Sequence, residues 1–118
     1  MSESTIYLLL AALAAYLVMQ RLRGGKRASP EAVRGKIEGG ARVLDVRSPG
    51  EFSSGAFPKA KNIPVDQLES RLSELGAKEK PVVVYCASGA RSSRAARILA
   101  KAGFSDVVDA GGLASMPR

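Results

Sequence analysis

The run of four apolar residues at 82–85, three valines followed by Tyr85, constrains the fold of this chain more than any other feature. Successive β-branched residues without polar alternation are typical of a strand that is buried on both faces, as in a parallel sheet. Weaker patterns alternate along the rest of the chain, with strand patterns at 43–46 and 106–109 and helical patterns at 30–38, 66–75 and 92–102. This alternation predicts an α/β fold with a small parallel β-sheet flanked by helices.

Three counts exclude whole classes of function. The chain has 118 residues, which suits one small domain. It has no His, so a Ser-His-Asp hydrolase and a histidine-bound metal site are excluded. Its one Cys excludes an intramolecular disulfide and a Cys-rich zinc site. We therefore expect neither a metal nor a cofactor.

An uncharged and largely apolar segment of 17 residues occupies positions 4–20. A helix of that length spans roughly 25 Å, slightly less than a hydrocarbon core of about 30 Å, and the basic residues that follow it can reach the headgroups. The pattern predicts a transmembrane anchor at 1–22, a basic linker at 23–28 and a folded domain at 29–118. A cleaved signal peptide and a buried core helix are the two alternatives.

The distribution of charge predicts the orientation of this anchor. Four basic residues lie within 21–27, directly after the apolar segment, whereas residues 1–5 carry only the acidic Glu3. By the positive-inside rule, this asymmetry places the domain in the cytoplasm, at a bacterial-type inner membrane that residues 5–20 cross once. The signal-peptide alternative would place the domain in the periplasm. Because the densest positive charge follows an apolar segment, we interpret the net charge of +7 as a topology signal and expect no nucleic-acid partner.

The lone Cys86 follows the apolar strand, and a short loop of small residues joins it to the next helix. Ligands bind at the carboxyl ends of parallel strands, and a helix N-terminus directs backbone N–H groups and positive charge to the same place. The loop turns tightly at Gly89, and Arg91 adds a positive charge. These features favour the thiolate, so we expect a lowered pKa at Cys86. The candidate site is the nucleophile Cys86 with Arg91 and the loop residues Ala87, Ser88, Gly89, Ala90 and Ser92. The hydroxyls of Ser88 and Ser92 either donate to bound sulfur or cap the helix, and capping is the expected role of Ser92.

The segment 86–92 is similar to the active-site loop of the rhodanese family, C-x-x-G-x-R-S. Further motifs of that family occur in the same order within residues 28–118, namely Leu44-Asp45-Val46-Arg47, Glu51-Phe52, Gly55, Asn62-Ile63-Pro64, Gly103-Phe104 and Gly111-Gly112. On these motifs, the chain resembles a single-domain rhodanese.

The resemblance implies a sulfurtransferase. In this chemistry, Cys86 takes sulfane sulfur from thiosulfate or a similar small anionic donor, becomes a persulfide, and passes the sulfur to cyanide or a thiol. The resemblance also implies that Arg91 closes the loop and that Asp45 and Arg47 support it from behind. An ordinary salt bridge at the end of the strand is the alternative for Asp45 and Arg47.

Two other functions remain open on the sequence. Cys-dependent phosphatases and arsenate reductases also use a Cys-to-Arg loop at a helix N-terminus, but they space the two residues by one residue more than Cys86 and Arg91 are spaced here. A membrane-tethered, non-catalytic module that senses redox state or binds partners is the other alternative.

Overall fold

The structure is a computed structural model that describes residues 2–23 and 27–118. Within these residues, the helices are α1 (Glu3–Arg23), α2 (Pro30–Glu38), α3 (Pro49–Ser53) and α4 (Ala90–Lys101), and the strands are β1 (Arg42–Asp45), β2 (Lys61–Asn62), β3 (Val82–Cys86) and β4 (Val107–Gly112). Short 3₁₀ helices cover Val65–Gln67, Glu69–Leu75 and Leu113–Ser115.

The four strands form one parallel sheet in the order β2-β1-β3-β4. The strand predicted at 82–85 is the central strand β3, which is buried along its whole length. In the register of the sheet, Asp45 of β1 lies opposite Tyr85, and Gly112 of β4 lies opposite Cys86. The carboxyl ends of three strands therefore bring Asp45, Cys86 and Gly112 to one edge of the sheet.

The core consists of two apolar clusters, and successive residues of β3 contribute to them in turn. One cluster contains Val82, Val84 and Cys86 together with the buried face of α4 around Leu99. The other contains the remaining two residues of β3 and packs against α2. Both faces of the sheet are therefore covered, and the predicted α/β fold with a small parallel sheet flanked by helices is confirmed.

Helix α1 forms where the apolar segment lies, over Glu3–Arg23. Among the residues that the structure describes, however, no helix is both long enough and apolar enough to cross a membrane. The structure does not support a transmembrane anchor or membrane contact through residues 5–20, and the predicted inner-membrane location with the domain facing the cytoplasm is wrong. The uncharged segment has 17 residues, whereas a membrane-spanning helix needs about 20. The side chains at 2–19 are exposed, so the alternative of a buried core helix is wrong as well.

The start of the folded domain follows the sequence pattern. Residues 24–26 of the predicted linker lie outside the described residues, and the domain boundaries stay predictions. Helix α2 begins as expected, because Ser29 Oγ accepts the N–H of Ala32 at 3.2 Å and Pro30 occupies the first helical position. The same helix ends at Gly39, as the sequence predicts.

The amphipathic α-helix predicted at 66–75 is wrong, because this segment forms two 3₁₀ helices that meet at Leu68. Arg71 departs from helical geometry, with φ −123° and ψ 18°, and interrupts the second of them. The apolar residues of the segment 65–75 occur in two pairs, Val65 with Leu68 and Leu72 with Leu75, and the members of each pair are three positions apart. A 3₁₀ helix stacks such pairs on one face. The buried members of these pairs are Val65, Leu68 and Leu75, and Leu72 is partly buried.

The packing of α4 against the sheet gives a direct test of this core. Leu99 is fully buried, so Leu99→Ala leaves a cavity, and we expect the free energy of unfolding to fall by about 2–5 kcal/mol. Urea unfolding followed by far-UV circular dichroism measures the change. Ile98→Ala is the matched control on the same helix, and its smaller loss follows from its partial burial. Equal losses in the two variants would contradict this account of the core.

Candidate active site

Cys86 is the last residue of β3, and its side chain is 1% exposed. The loop after it turns at Gly89, which has φ 109° and precedes α4 directly. This left-handed conformation is available to glycine without strain. The turn brings the N–H of Gly89 to Cys86 Sγ at 2.9 Å. A buried sulfur is therefore held under a loop whose residues Ala87 and Ser88 are exposed.

The loop controls the ionisation of Cys86. Burial on its own would raise the pKa of this thiol, but hydrogen bonds from the Ser92 hydroxyl and from the N–H groups of Ser92, Gly89 and Ser88 outweigh it. The pKa of Cys86 therefore lies below its ordinary value. Ser92 Oγ also donates to the carbonyl oxygen of Gly89 at 3.0 Å. Since a hydroxyl has one proton, it serves either this carbonyl or the sulfur at a given moment.

The neighbouring strand β4 leaves the space that this loop needs. A Cβ on Gly112 would overlap the carbonyl oxygen of Ala87, so only glycine lets the loop lie this close to the sheet. Gly111 has φ 80°, and its N–H donates to Asp109 Oδ1 at 2.9 Å. The Gly111-Gly112 pair thus has a steric role at the site.

Arg91 lies in the first turn of α4, and its guanidinium binds Glu51. Nη1 donates to Glu51 Oε1 at 2.6 Å and Nη2 donates to Oε2 at 3.0 Å. The hydrogen bonds from Arg91, together with one from the backbone N–H of Ser48, lower the pKa of Glu51 to about 2. Glu51 also completes the capping box of α3 with Ser48. The ion pair therefore connects the segment after β1 to the start of α4.

Asp45 and Arg47 form a buried ion pair behind this segment. Arg47 Nη2 lies 2.7 Å from Asp45 Oδ2, and the two side chains are 7% and 0% exposed. The same nitrogen donates to the carbonyl oxygen of Gly55 at 2.8 Å. The Tyr85 hydroxyl donates to Asp45 Oδ2 at 2.7 Å and accepts the N–H of Phe57 at 3.0 Å. Burial is the main reason that the pKa of Tyr85 is raised to about 12.

The chain matches the model of the rhodanese-like domain over residues 29–114. It belongs to the rhodanese-like domain family. It is 36% identical over 112 residues to the uncharacterized protein YqhL of Bacillus subtilis, covering 91% of this chain and 86% of that protein. It is 36% identical over 87 residues to the thiosulfate sulfurtransferase GlpE of Pseudomonas syringae, covering 74% and 81%. The human single-domain sulfurtransferase TSTD1 is a similar solved structure, with a TM-score of 0.65, 30% identity and coverage of 73% and 88%.

The rhodanese-like domain brings the residues that the sequence singled out to the sheet edge where Cys86 lies. Ala87, Ser88 and Gly89 form the loop itself, and Ala90 and Arg91 begin α4. Asp45 ends the neighbouring strand β1, and Arg47 follows two positions later and pairs with it. Ser92 is not the helix cap, because Gly89 occupies that position and Ser92 donates its hydrogen bond back to it.

Four supporting residues of this rhodanese-like site were not predicted from the sequence as contacts. Glu51 was recognised only as part of a motif, and its partner Arg91 is 40 positions away. Tyr85 carried a usable signal, because a phenol at the end of a fully buried strand needs a partner for its hydroxyl. Asn62 donates from its side chain to the carbonyl oxygens of Asp45 and Arg47. For Gly112, the Gly-Gly motif indicates only that another backbone segment approaches closely, and it does not indicate which segment.

The Ser92 hydroxyl gives a pH-dependent prediction. Ser92→Ala removes one hydrogen bond to the thiolate, so the pKa of Cys86 should rise toward its ordinary value. The rate of Cys86 alkylation by iodoacetamide follows the thiolate fraction, so its pH midpoint should move upward in this variant. Ser93→Ala is the matched control at the next position of α4 and should keep the wild-type midpoint. An unchanged midpoint in Ser92→Ala would contradict the role of this hydroxyl.

Proposed function

We propose that this protein is a sulfurtransferase that moves sulfane sulfur from thiosulfate, or a similar small anionic donor, to cyanide or a thiol through a persulfide on Cys86. The observation that carries the proposal is the position of Cys86, a buried sulfur at the end of β3 that accepts the N–H of Gly89 at 2.9 Å directly before α4. The lowered pKa of Cys86 agrees with this geometry. Relatives whose names give thiosulfate sulfurtransferase activity share this family and add support.

The first step is attack of the Cys86 thiolate on the sulfane sulfur of thiosulfate. A new S–S bond forms to Cys86 while the S–S bond of thiosulfate breaks, and sulfite leaves with the electron pair. The total charge stays the same, because a thiolate and a thiosulfate dianion become a persulfide anion and a sulfite dianion. No proton moves in this step, so no general base is required and the absence of His is no obstacle.

The second step returns the enzyme to the thiolate. Cyanide attacks the outer sulfur, which gives thiocyanate, or a thiolate attacks it, which gives an external persulfide. In both cases the bond between the two sulfur atoms of the enzyme persulfide breaks, and its electron pair goes to Cys86 Sγ. The chain has one Cys, so the acceptor must come from outside the chain.

The loop donors hold the negative charge through both steps. The N–H of Gly89 donates to the sulfur of Cys86, and the N–H groups of Ser92 and Ser88 also lower the pKa of this thiol. The same groups stabilise the charge of the persulfide. Arg91 contributes a positive charge at the end of the loop. Its hydrogen bonds to Glu51 are the main reason that its pKa is raised, and the nearby Cys86 raises it further. Asp45 and Arg47 act as positioning residues, because they fix the segment that carries Glu51.

Substitution of the nucleophile tests this proposal. Cys86→Ser should abolish thiosulfate-to-cyanide sulfur transfer, because a serine hydroxyl is not ionised near neutral pH and forms no persulfide. Thiocyanate production measures the activity. Far-UV circular dichroism and thermal unfolding of the variant provide the control for folding, since serine nearly matches cysteine in shape. Substantial thiocyanate production by the folded variant would overturn the role of Cys86.

A further inference from the structure

Arg27 precedes the residues that match the rhodanese-like domain, and its side chain reaches the active-site loop. Nη2 of Arg27 donates to the carbonyl oxygen of Ser88 at 2.8 Å. The adjoining backbone is fixed as well, because the N–H of Ala28 donates to the carbonyl oxygen of Asp109 in β4 at 2.8 Å. Two contacts with distant parts of the chain therefore hold the guanidinium at the loop.

Two glycines leave room for this side chain. A Cβ on Gly89 would overlap the guanidinium of Arg27, and a Cβ on Gly111 would lie 2.8 Å from its Cδ. Gly89 is also the residue whose N–H donates to Cys86 Sγ. The guanidinium therefore packs against the loop residue that contacts the sulfur.

Arg27 and Arg91 differ in how their charges are compensated. Arg91 is paired with Glu51 through two short hydrogen bonds. Arg27 forms no ion pair within residues 2–23 and 27–118, and its side chain is exposed. A guanidinium has five N–H donors in a planar fork that matches the oxygens of an oxyanion. An anion that approaches the loop therefore meets a guanidinium that is in no ion pair with a carboxylate of the described residues.

We propose that Arg27 recognises the anionic sulfur donor by pairing with its sulfonate oxygens, an inference that rests on the proposed sulfurtransferase function. The contact is with the oxygens that leave as sulfite and not with the sulfur that is transferred. Arg27 therefore favours sulfur donors that carry more negative charge. It is a determinant of donor specificity contributed by the segment before the matched domain.

Full-chain variants at position 27 test this inference with two donors of different charge. Arg27→Gln removes the charge, Arg27→Lys keeps it without the planar fork, and Arg34→Gln is the matched control. Arg34 is an exposed arginine of α2 whose guanidinium also donates to a backbone carbonyl, that of Arg118. The donors are thiosulfate, a dianion, and an aromatic thiosulfonate, a monoanion, with cyanide as the acceptor of both.

We expect Arg27→Gln to raise the KM for thiosulfate about five- to tenfold with little change in kcat. The rise should be smaller for the thiosulfonate, Arg27→Lys should recover most of the loss, and Arg34→Gln should match the wild type. An unchanged KM, or an equal loss with both donors, would overturn the inference, because a purely structural clamp on Ser88 does not depend on donor charge. A wild-type protein that transfers sulfur from neither donor would contradict the proposed function itself, which separates the two failures.

Discussion

A buried sulfur needs hydrogen-bond donors in order to ionise, and the loop after Cys86 supplies one at Gly89. Cys86 is almost completely enclosed, so water cannot solvate its charge. The turn at Gly89 replaces water with backbone N–H groups that the start of α4 leaves without intrahelical partners. Since these donors belong to the backbone, their direction is fixed by the path of the loop. The ionisation of Cys86 therefore depends on how rigidly the loop is held.

The rest of the fold fixes that path from two sides. On one side, Gly112 lets β4 approach Ala87 without a steric clash. On the other side, the Asp45–Arg47 pair holds the segment after β1, which carries Glu51 to Arg91. Loss of one partner of a buried pair leaves an unpaired buried charge and costs about 3–5 kcal/mol. Among the described hydrogen bonds, neither Asp45 nor Arg47 contacts Cys86. We therefore propose that the pair acts on the loop only through the segment that carries Glu51.

The local sequence predicted the parts of the site that neighbours in the chain define. The apolar strand, the small-residue loop and the following helix predicted the position of Cys86 and the direction of its pKa shift, because both arise within residues 82–92. The pairing of Arg91 with Glu51 and the contact of Arg27 with Ser88 depend on how the chain folds back, so local patterns carried no signal for them. The error at 66–75 has a local cause, because apolar residues three positions apart, such as Leu72 and Leu75, suit an α-helix and a 3₁₀ helix alike. At the N-terminus, the apolar composition of residues 4–20 predicts a membrane span, but no described helix is long and apolar enough to form one.

Intact-mass spectrometry of the full chain after reaction with thiosulfate tests the persulfide most directly. The account predicts that the protein gains the mass of one sulfur atom, that peptide mapping places it on Cys86, and that cyanide removes it with release of thiocyanate. The chain has a single Cys, so no other thiol of the protein competes for the sulfur. A protein that keeps its original mass, or that carries the added mass on another residue, would contradict the central claim.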